Sequence, residues 1–124
     1  MKDIRVIIAT NSVFMYAIVK RLLEEENIKV LKYVKSGYEA LKSYMELKPD
    51  LILMDVELED ISGIDTIKLI LDHDPSARII ALSEKKDIDL VVKAIKAGAK
   101  HFISFPASKT DILARIYEVL SEKI

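Results

Sequence analysis

Short apolar runs alternate with longer amphipathic segments along the whole chain, and this alternation constrains the fold more than any other feature. The apolar runs span residues 4–9, 28–34, 51–55, 77–82 and 101–104. They are short and mostly rich in β-branched residues, which is typical of strands. The first, third and fourth are almost continuously apolar, which indicates strands covered on both faces, as in a parallel sheet between layers of helices.

The segments between these runs carry apolar residues at helical spacing. Four stripes stand out: Tyr38, Leu41 and Met45; Ile64, Ile67 and Leu71; Ile88, Val92 and Ile95; Ile112, Ile116, Val119 and Leu120. We expect each of these stripes to face the sheet. A further helical segment, from Ser12 to about Glu26, is apolar on more than one side.

Polar residues mark where the helices begin. Three pairs match the capping-box pattern: Ser36 with Glu39, Ser62 with Asp65, and Ser108 with Asp111. Asp87 is placed to cap the fourth helix, and Gly98 to end it. Five strands and five helices in strict alternation predict one α/β domain over residues 1–124, with an open parallel five-stranded sheet as the middle of three layers. A closed barrel of this kind needs about 250 residues.

Composition excludes several classes of function. The chain has 124 residues, 51% of them hydrophobic, which excludes a disordered chain. Its formal net charge of -1 argues against direct binding to nucleic acid or a membrane surface, which needs a basic excess. The sequence has no cysteine, so thiolate metal sites and thiol catalysis are excluded, and its two histidines lack ligand-like spacing. No apolar run is long enough to span a membrane, and we expect a cytoplasmic protein.

Candidate functional residues follow from the predicted sheet. Ligands of open α/β sheets bind at the carboxyl ends of the strands, near the point where the strand order reverses. Asp55 ends an apolar strand at this edge, and Ser83 has the matching position after the next strand. Each of these residue types is also common in ordinary caps and turns, so position alone favours function only weakly.

Several ordered segments together resemble the response-regulator receiver domain over the whole chain. They are residues 12–15, 48–55, 61–65, 77–83 and 94–106. The resemblance implies a flavodoxin-like sheet with strand order 2-1-3-4-5. It also implies that Asp55 lies at the phospho-acceptor position, Ser83 at the position of the hydroxyl that contacts the phosphoryl group, and Phe102 at the switch aromatic. Receivers are signalling modules, so this resemblance argues against an enzyme.

The departures from the receiver pattern carry as much information as the matches. Receivers have an acidic pair after the first strand, where this chain has Thr10 and Asn11. They have a lysine before the proline that follows the fifth strand, where this chain has Phe105. Glu59 replaces the usual proline after the acceptor strand, and Glu84 replaces a small residue.

These departures predict a weakened phospho-acceptor site. Phosphoryl transfer to a carboxylate depends on positioning and on neutralising charge at the phosphoryl oxygens. Mg²⁺ prefers carboxylate and other oxygen ligands, and the acidic pair is missing. We therefore expect no resident cofactor and at most weak Mg²⁺ binding by Asp55 with the side chain of Glu57. We also expect Thr10 and Asn11 to hydrogen-bond Asp55, and Phe105 to fill and lock the pocket.

Three functional hypotheses stay open at this point. The first is an interaction module of a two-component pathway, which binds a histidine kinase or a downstream effector through helix 4, strand 5 and helix 5. The second is a receiver that a histidine kinase phosphorylates at Asp55. The third is a flavin- or nucleotide-binding protein, which the absence of glycine near Thr10 disfavours. Lys85 and Lys86 are interpreted as a solvated face, and homodimerisation stays open.

Overall fold

The computed structural model describes residues 3–122 as alternating strands and helices. The strands are β1 Arg5–Ala9, β2 Lys29–Val34, β3 Leu51–Asp55, β4 Ile79–Ser83 and β5 His101–Ser104. The helices are α1 Val13–Glu25, α2 Gly37–Leu47, α3 Gly63–His73, α4 Ile88–Ala97 and α5 Lys109–Ser121. Each predicted strand is therefore present, with bounds that differ from the apolar runs by one or two residues at most.

All four strand pairings are parallel, and the strand order is β2-β1-β3-β4-β5. The predicted three-layer fold and strand order are thus confirmed. The order reverses between β1 and β3, because the chain leaves β1 towards β2 and then returns to the other side of β1. The carboxyl ends of β1, β3 and β4 therefore lie side by side, and this edge is where a ligand site is expected.

Two apolar clusters cover the two faces of the sheet. On one face, Val6 and Ile8 of β1 pack with residues of α1 and α5, such as Leu23 and Ile116. On the other face, strand residues pack with α2, α3 and α4. Every residue of β3 and β4 is buried, as their continuous apolar sequences predict. In the described part of the chain, no helix is long and apolar enough to cross a membrane.

The predicted helix caps are confirmed. Three predicted serines accept a hydrogen bond from the backbone N–H three residues further on: Ser36 from Glu39, Ser62 from Asp65, and Ser108 from Asp111. Ser12, for which no cap was predicted, accepts from Met15 in the same way. Asp87 caps α4 in a similar way, and Gly98 ends that helix with a φ of 117°. These caps satisfy backbone donors that the first turn of a helix leaves unpaired.

The prediction for the apolar stripe of α4 is wrong, because the stripe faces solvent. Ile88 is 78% exposed, and Val92 and Ile95 are each 44% exposed. The helix packs inward through Ala94, which is fully buried, and through Leu90. Since α4 is apolar on both sides, helical spacing alone could not tell which side would meet the sheet.

The stripe predicted on α2 is also partly wrong. Tyr38 and Met45 are exposed, whereas Ala40 and Tyr44 provide the buried side. Burial of the Tyr44 ring is possible because its hydroxyl donates to Asp74 Oδ2 at 2.7 Å. A buried phenol needs such a partner. The stripes on α3 and α5 pack into the two clusters as predicted.

Candidate functional site

A cleft of about 490 Å³ opens at the carboxyl edge of the sheet. Six residues line it: Asn11, Ser12, Asp55, Glu57, Glu84 and Lys85. They come from the loops that follow β1, β3 and β4 and from the end of β3 itself. The edge predicted from the strand ends therefore carries a polar cleft. None of these six residues is aromatic, so the cleft offers no stacking surface for a flavin ring.

Asp55 is the most buried residue of the cleft, with 7% of its surface exposed. Both of its carboxylate oxygens accept hydrogen bonds. The Thr10 hydroxyl donates to Oδ2 at 2.7 Å, and the backbone N–H of Glu57 donates to Oδ1 at 2.9 Å. Thr10 is itself fully buried, and its hydroxyl oxygen accepts a bond from the backbone N–H of Ser12 at 3.0 Å. The predicted bond from Thr10 to Asp55 is thus present.

Asn11 does not bond to Asp55, contrary to the prediction. Its side-chain amide donates to Glu59 Oε1 at 2.7 Å. Each oxygen of Asp55 already accepts one hydrogen bond, from Thr10 or from the Glu57 backbone, and the Asn11 amide is paired with the exposed carboxylate of Glu59 instead.

The environment of Asp55 raises the pKa of its carboxyl group above the ordinary value of 3.8. Burial is the largest cause, because it disfavours the charged form. The hydrogen bonds from Thr10 and from the Glu57 backbone act in the opposite direction, and the carboxylates of Glu57 and Glu84 raise the pKa further. The buried carboxylate therefore lacks a cation that would fully offset its loss of hydration.

Ser83 ends β4, directly after Leu82, which is the register partner of Asp55. It is fully buried, and its hydroxyl oxygen accepts the backbone N–H of Lys85 at 3.0 Å. This bond fixes the start of the loop that borders the cleft. Ser83 therefore lies at the predicted edge, one strand away from Asp55.

Phe105 does not fill the cleft, so the prediction of a filled pocket is wrong. Its side chain is buried in the apolar cluster on the α1 and α5 side of the sheet, with Ile112 among the members. Its backbone N–H donates to the Ser83 carbonyl at 2.7 Å, and the peptide bond to Pro106 is cis. An apolar ring is more stable in that core than beside the carboxylate of Asp55. Phe102 is partly buried and packs against the opposite cluster.

An ion pair that the sequence reading missed lies at the cleft. Lys85 Nζ lies 3.0 Å from Glu57 Oε1. Lys85 is exposed, as the prediction of a solvated face requires, and it is also the lysine among the cleft-lining residues. A signal was present in the sequence, because Glu57 and Lys85 each lie two residues beyond the last residue of neighbouring parallel strands.

The loop between β3 and α3 is held by three further hydrogen bonds that the sequence does not predict. The backbone N–H of Gly63 donates to the Val56 carbonyl at 3.0 Å. The Asp60 carboxylate accepts the backbone N–H groups of Gly37 and Tyr38 at 2.8 and 3.0 Å. The bonds from Gly37 and Tyr38 tie the loop to the start of α2. The pKa of Asp60 is lowered chiefly by a bond from the backbone of Ile61, and these two bonds lower it further.

Comparison with known proteins decides the family. The profile of the response regulator receiver domain matches residues 6–117. The chain belongs to this receiver family. It is 36% identical over 115 residues to the chemotaxis protein CheY of Thermotoga maritima, which covers 93% of this chain and 96% of that protein. It is 32% identical over 110 residues to CheY of Listeria monocytogenes, with 89% and 92% covered.

Solved receiver structures superpose closely on this chain. A chain of the crystal structure of the CheX-CheY-BeF₃-Mg²⁺ complex of Borrelia burgdorferi matches with a TM-score of 0.90 at 26% identity, over 96% of this chain and 90% of that one. The response regulator domain of Thermotoga maritima CheB matches with a TM-score of 0.87 at 29% identity, over 99% and 100%. The receiver fold is therefore established from both sequence and structure.

The receiver family implies a Mg²⁺ site beside the acceptor aspartate, and the residues at the acidic-pair positions of this chain, Thr10 and Asn11, do not carry the carboxylates expected there. The Thr10 hydroxyl donates to one oxygen of Asp55, so this position supplies a neutral hydroxyl in place of the charged carboxylate ligand that Mg²⁺ prefers. Glu57, the predicted second carboxylate, is paired with Lys85. Across residues 3–122, no group of three or more histidine or acidic residues is arranged to hold a metal ion.

We expect the substitution Asp55→Asn to raise the free energy of unfolding at pH 7. The folded-state pKa of Asp55 is raised, so the folded protein binds this proton more tightly than the unfolded chain does. Stability is therefore lost as the pH rises from 3.8 through the raised pKa. Asparagine avoids this loss, and its amide can still accept from Glu57 and donate to the oxygen of Thr10. Urea unfolding measures the difference.

The pH dependence provides the control for this prediction. Below the ordinary aspartate pKa, Asp55 is neutral in both the folded and the unfolded state, so the advantage of Asp55→Asn should disappear. An equal advantage at pH 7 and at acidic pH would contradict the electrostatic explanation.

Proposed function

We propose that this receiver domain acts as a protein-interaction module of a two-component pathway and that Mg²⁺-dependent phosphorylation of Asp55 is weak or absent. The observation that carries this proposal is the 2.7 Å hydrogen bond from the Thr10 hydroxyl to Asp55. It places a neutral donor where receivers carry an acidic residue. We also propose that the whole chain is one such domain.

The charges of the cleft support weak phosphorylation. The carboxylates of Asp55, Glu57 and Glu84 line it together with one ammonium group, that of Lys85, which is already paired. An incoming phosphoryl group adds further negative charge. Loss of one electrostatic element of such a site typically costs about 10²- to 10³-fold in rate. This chain lacks both the acidic pair and the usual lysine, although the two losses need not multiply.

The surface of α4 supports the interaction role. Ile88, Val92 and Ile95 form an exposed apolar stripe on this helix. Contiguous exposed apolar residues are typical of protein interaction sites. Receiver domains bind kinases and effectors, and the CheX-CheY complex is one structural neighbour with a protein partner. We propose that a histidine kinase or an effector binds the face formed by α4, β5 and α5.

A direct test of the proposal is phosphorylation by a small-molecule donor. The full chain is incubated with acetyl phosphate and Mg²⁺, and its intact mass is measured. Asp55→Asn serves as the control for the site of any adduct. We expect no stoichiometric adduct, because the phosphoryl charge is not neutralised. A stoichiometric adduct on the wild-type chain that is missing from Asp55→Asn would overturn the proposal.

A second candidate function is a receiver that a cognate histidine kinase phosphorylates at Asp55. The specific observation in its favour is that the cleft is open and that Lys85 lies within it. A kinase can position its phosphohistidine and supply charges that a small-molecule donor lacks. Phosphoryl transfer to the wild-type chain from a kinase, with none to Asp55→Asn, would favour this candidate.

A further inference from the structure

The strand β2 forms one edge of the sheet, and β5 forms the other. Three lysines lie along the β2 edge: Lys29 and Lys32 within the strand, and Lys35 directly after it. All three are exposed, and within residues 3–122 none of them has an ion-pair partner. At the rise of an extended strand, their Cα atoms span roughly 20 Å. The β2 edge therefore presents a row of unpaired positive charges.

Two stacked tyrosines extend this surface from β2 onto α1. The rings of Tyr16 on α1 and Tyr33 on β2 lie 3.7 Å apart, with an angle of 6° between their planes. Lys20 Nζ lies 5.9 Å from the centre of the Tyr16 ring, and Lys35 Nζ lies 5.8 Å from the centre of the Tyr33 ring. Cation–π contacts favour these positions of the ammonium groups and leave their N–H donors available to an acceptor. The tyrosine pair therefore positions two of the positive charges beside the strand edge.

Most acidic residues of this part of the chain contact α5 instead of the β2 edge. Residues 10–35 contain five basic residues and three acidic ones. Among the acidic residues, Glu25 Oε1 lies 3.8 Å from Lys109 Nζ of α5. Glu26 Oε1 accepts a hydrogen bond from the Tyr117 hydroxyl of α5 at 2.9 Å. The positive charge of the β2 edge is therefore not neutralised by these two carboxylates.

The charge of the β2 edge determines which kind of partner fits it. If the β2 edges of two copies of this chain paired, their lysines would repel each other, and edge lysines are a common protection against such pairing. The net charge of the whole chain is -1, which disfavours a long polyanion such as nucleic acid. A short acidic segment of another protein requires only the local positive charge, and its carboxylates can accept hydrogen bonds from the lysine ammonium groups.

We propose that the β2 edge, together with Tyr16 and Tyr33, is a second interaction surface that binds an extended acidic segment of a partner protein. The surface lies at the opposite edge of the sheet from β5, so a partner bound there leaves the face of α4, β5 and α5 free. Two partners on these two surfaces are then connected through the domain. The inference goes beyond the proposed function and requires neither phosphorylation of Asp55 nor a ligand in the cleft.

A synthetic acidic peptide tests the inference. A peptide of about ten alternating glutamate and serine residues, long enough to follow the edge, is titrated into the full chain at constant ionic strength. We expect saturable shifts of the amide resonances of residues 29–35 and none in α4. Lys32→Gln combined with Lys35→Gln should weaken binding about four- to twenty-fivefold, since each exposed ion pair lost costs about two- to fivefold in affinity. The same peptide with glutamine in place of glutamate should not bind.

Two exposed lysines of α4 provide the matched control. Lys93→Gln combined with Lys96→Gln removes the same charge from the other proposed interaction face. This control should leave the affinity for the acidic peptide unchanged. Equal weakening by the two pairs of substitutions would show that the peptide responds only to the net charge of the chain, and the inference would then be wrong.

Three further results would overturn the inference. The first is the lack of any saturable shift in residues 29–35. The second is equal affinity for a single-stranded oligonucleotide of the same charge, which would indicate a general polyanion site. The third is a dimer of the free chain that Lys32→Gln and Lys35→Gln alter, which would make a second copy the occupant of the edge. None of these results depends on Mg²⁺ or on Asp55, so the acetyl phosphate experiment tests the proposed function separately.

Discussion

Replacement of Gly63 by alanine is expected to destabilise the domain by about 3 kcal/mol or more. A Cβ atom at this position would lie 2.0 Å from the Asp55 carbonyl oxygen and 2.6 Å from the Val56 Cα. Both atoms belong to the backbone at the end of β3, where the Val56 N–H bonds to the Leu82 carbonyl at 2.9 Å. The strand end cannot move away without breaking this bond, so α3 must shift instead. Urea unfolding measures the loss.

The matched control for Gly63→Ala is Ser62→Ala, which changes the neighbouring residue of the same helix start. Ser62 caps α3, and loss of such a cap costs about 1 kcal/mol. Gly63→Ala should lower the free energy of unfolding clearly more than Ser62→Ala does. It should also shift the amide resonances of Asp55 and Glu57, whereas Ser62→Ala should leave them unchanged. Equal costs for the two variants would show that the close approach to Asp55 is relaxed in solution.

The parts of this fold that the sequence predicts are those set by local or repeating patterns. Continuous apolar runs identified β3 and β4, because strands covered on both faces have no polar side. The caps of α2, α3 and α5 were readable because a serine and an acidic residue three positions later act within one turn. Strand order was implied only by the resemblance to receivers, and the structure confirms it.

The sequence-based predictions are wrong where one local pattern allows two arrangements and tertiary packing determines which of them forms. The helix α4 is apolar on both sides, and the sheet selected the side of Ala94 rather than that of Ile88. Small residues such as Ala94 let a helix approach a sheet closely, whereas helical spacing carries no information on this choice. The sequence of α4 thus predicts an apolar stripe correctly, but not that this stripe faces solvent.

The residues of the site divide in the same way into those that local sequence predicts and those that depend on contacts between distant parts of the chain. Asp55 was found because it ends an apolar strand. The partner of Asn11 is Glu59, 48 positions away, and Lys85 bonds to Glu57 across two loops. Phe105 turned into the core since an apolar ring gains more from burial there than beside a carboxylate. Which partner each of these side chains takes depends on distances in the folded chain, and the sequence alone does not give those distances.

Restoring the acidic pair with Thr10→Asp and Asn11→Asp is expected to raise Mg²⁺ affinity about tenfold or more. The double variant replaces the hydroxyl that now occupies Asp55 Oδ2 and adds two carboxylates after β1. Without metal, these carboxylates repel Asp55, which is already buried and protonates more readily than usual. The variant should therefore be less stable than the wild-type chain in metal-free buffer, and Mg²⁺ should raise its melting temperature.

The variant Thr10→Val separates the effect of adding carboxylates on Mg²⁺ binding from the effect of removing the Thr10 hydroxyl. It removes the 2.7 Å bond to Asp55 without a new charge, so Mg²⁺ should have no larger effect on it than on the wild-type chain. A wild-type chain that Mg²⁺ stabilises as strongly as the double variant would contradict the weak-site proposal. Phosphorylation should stay slow even in the double variant, because Phe105 still occupies the lysine position and its ring belongs to the core. We therefore expect metal affinity and phosphoryl capture to be separable in this domain, with the first restored by the double variant and the second not.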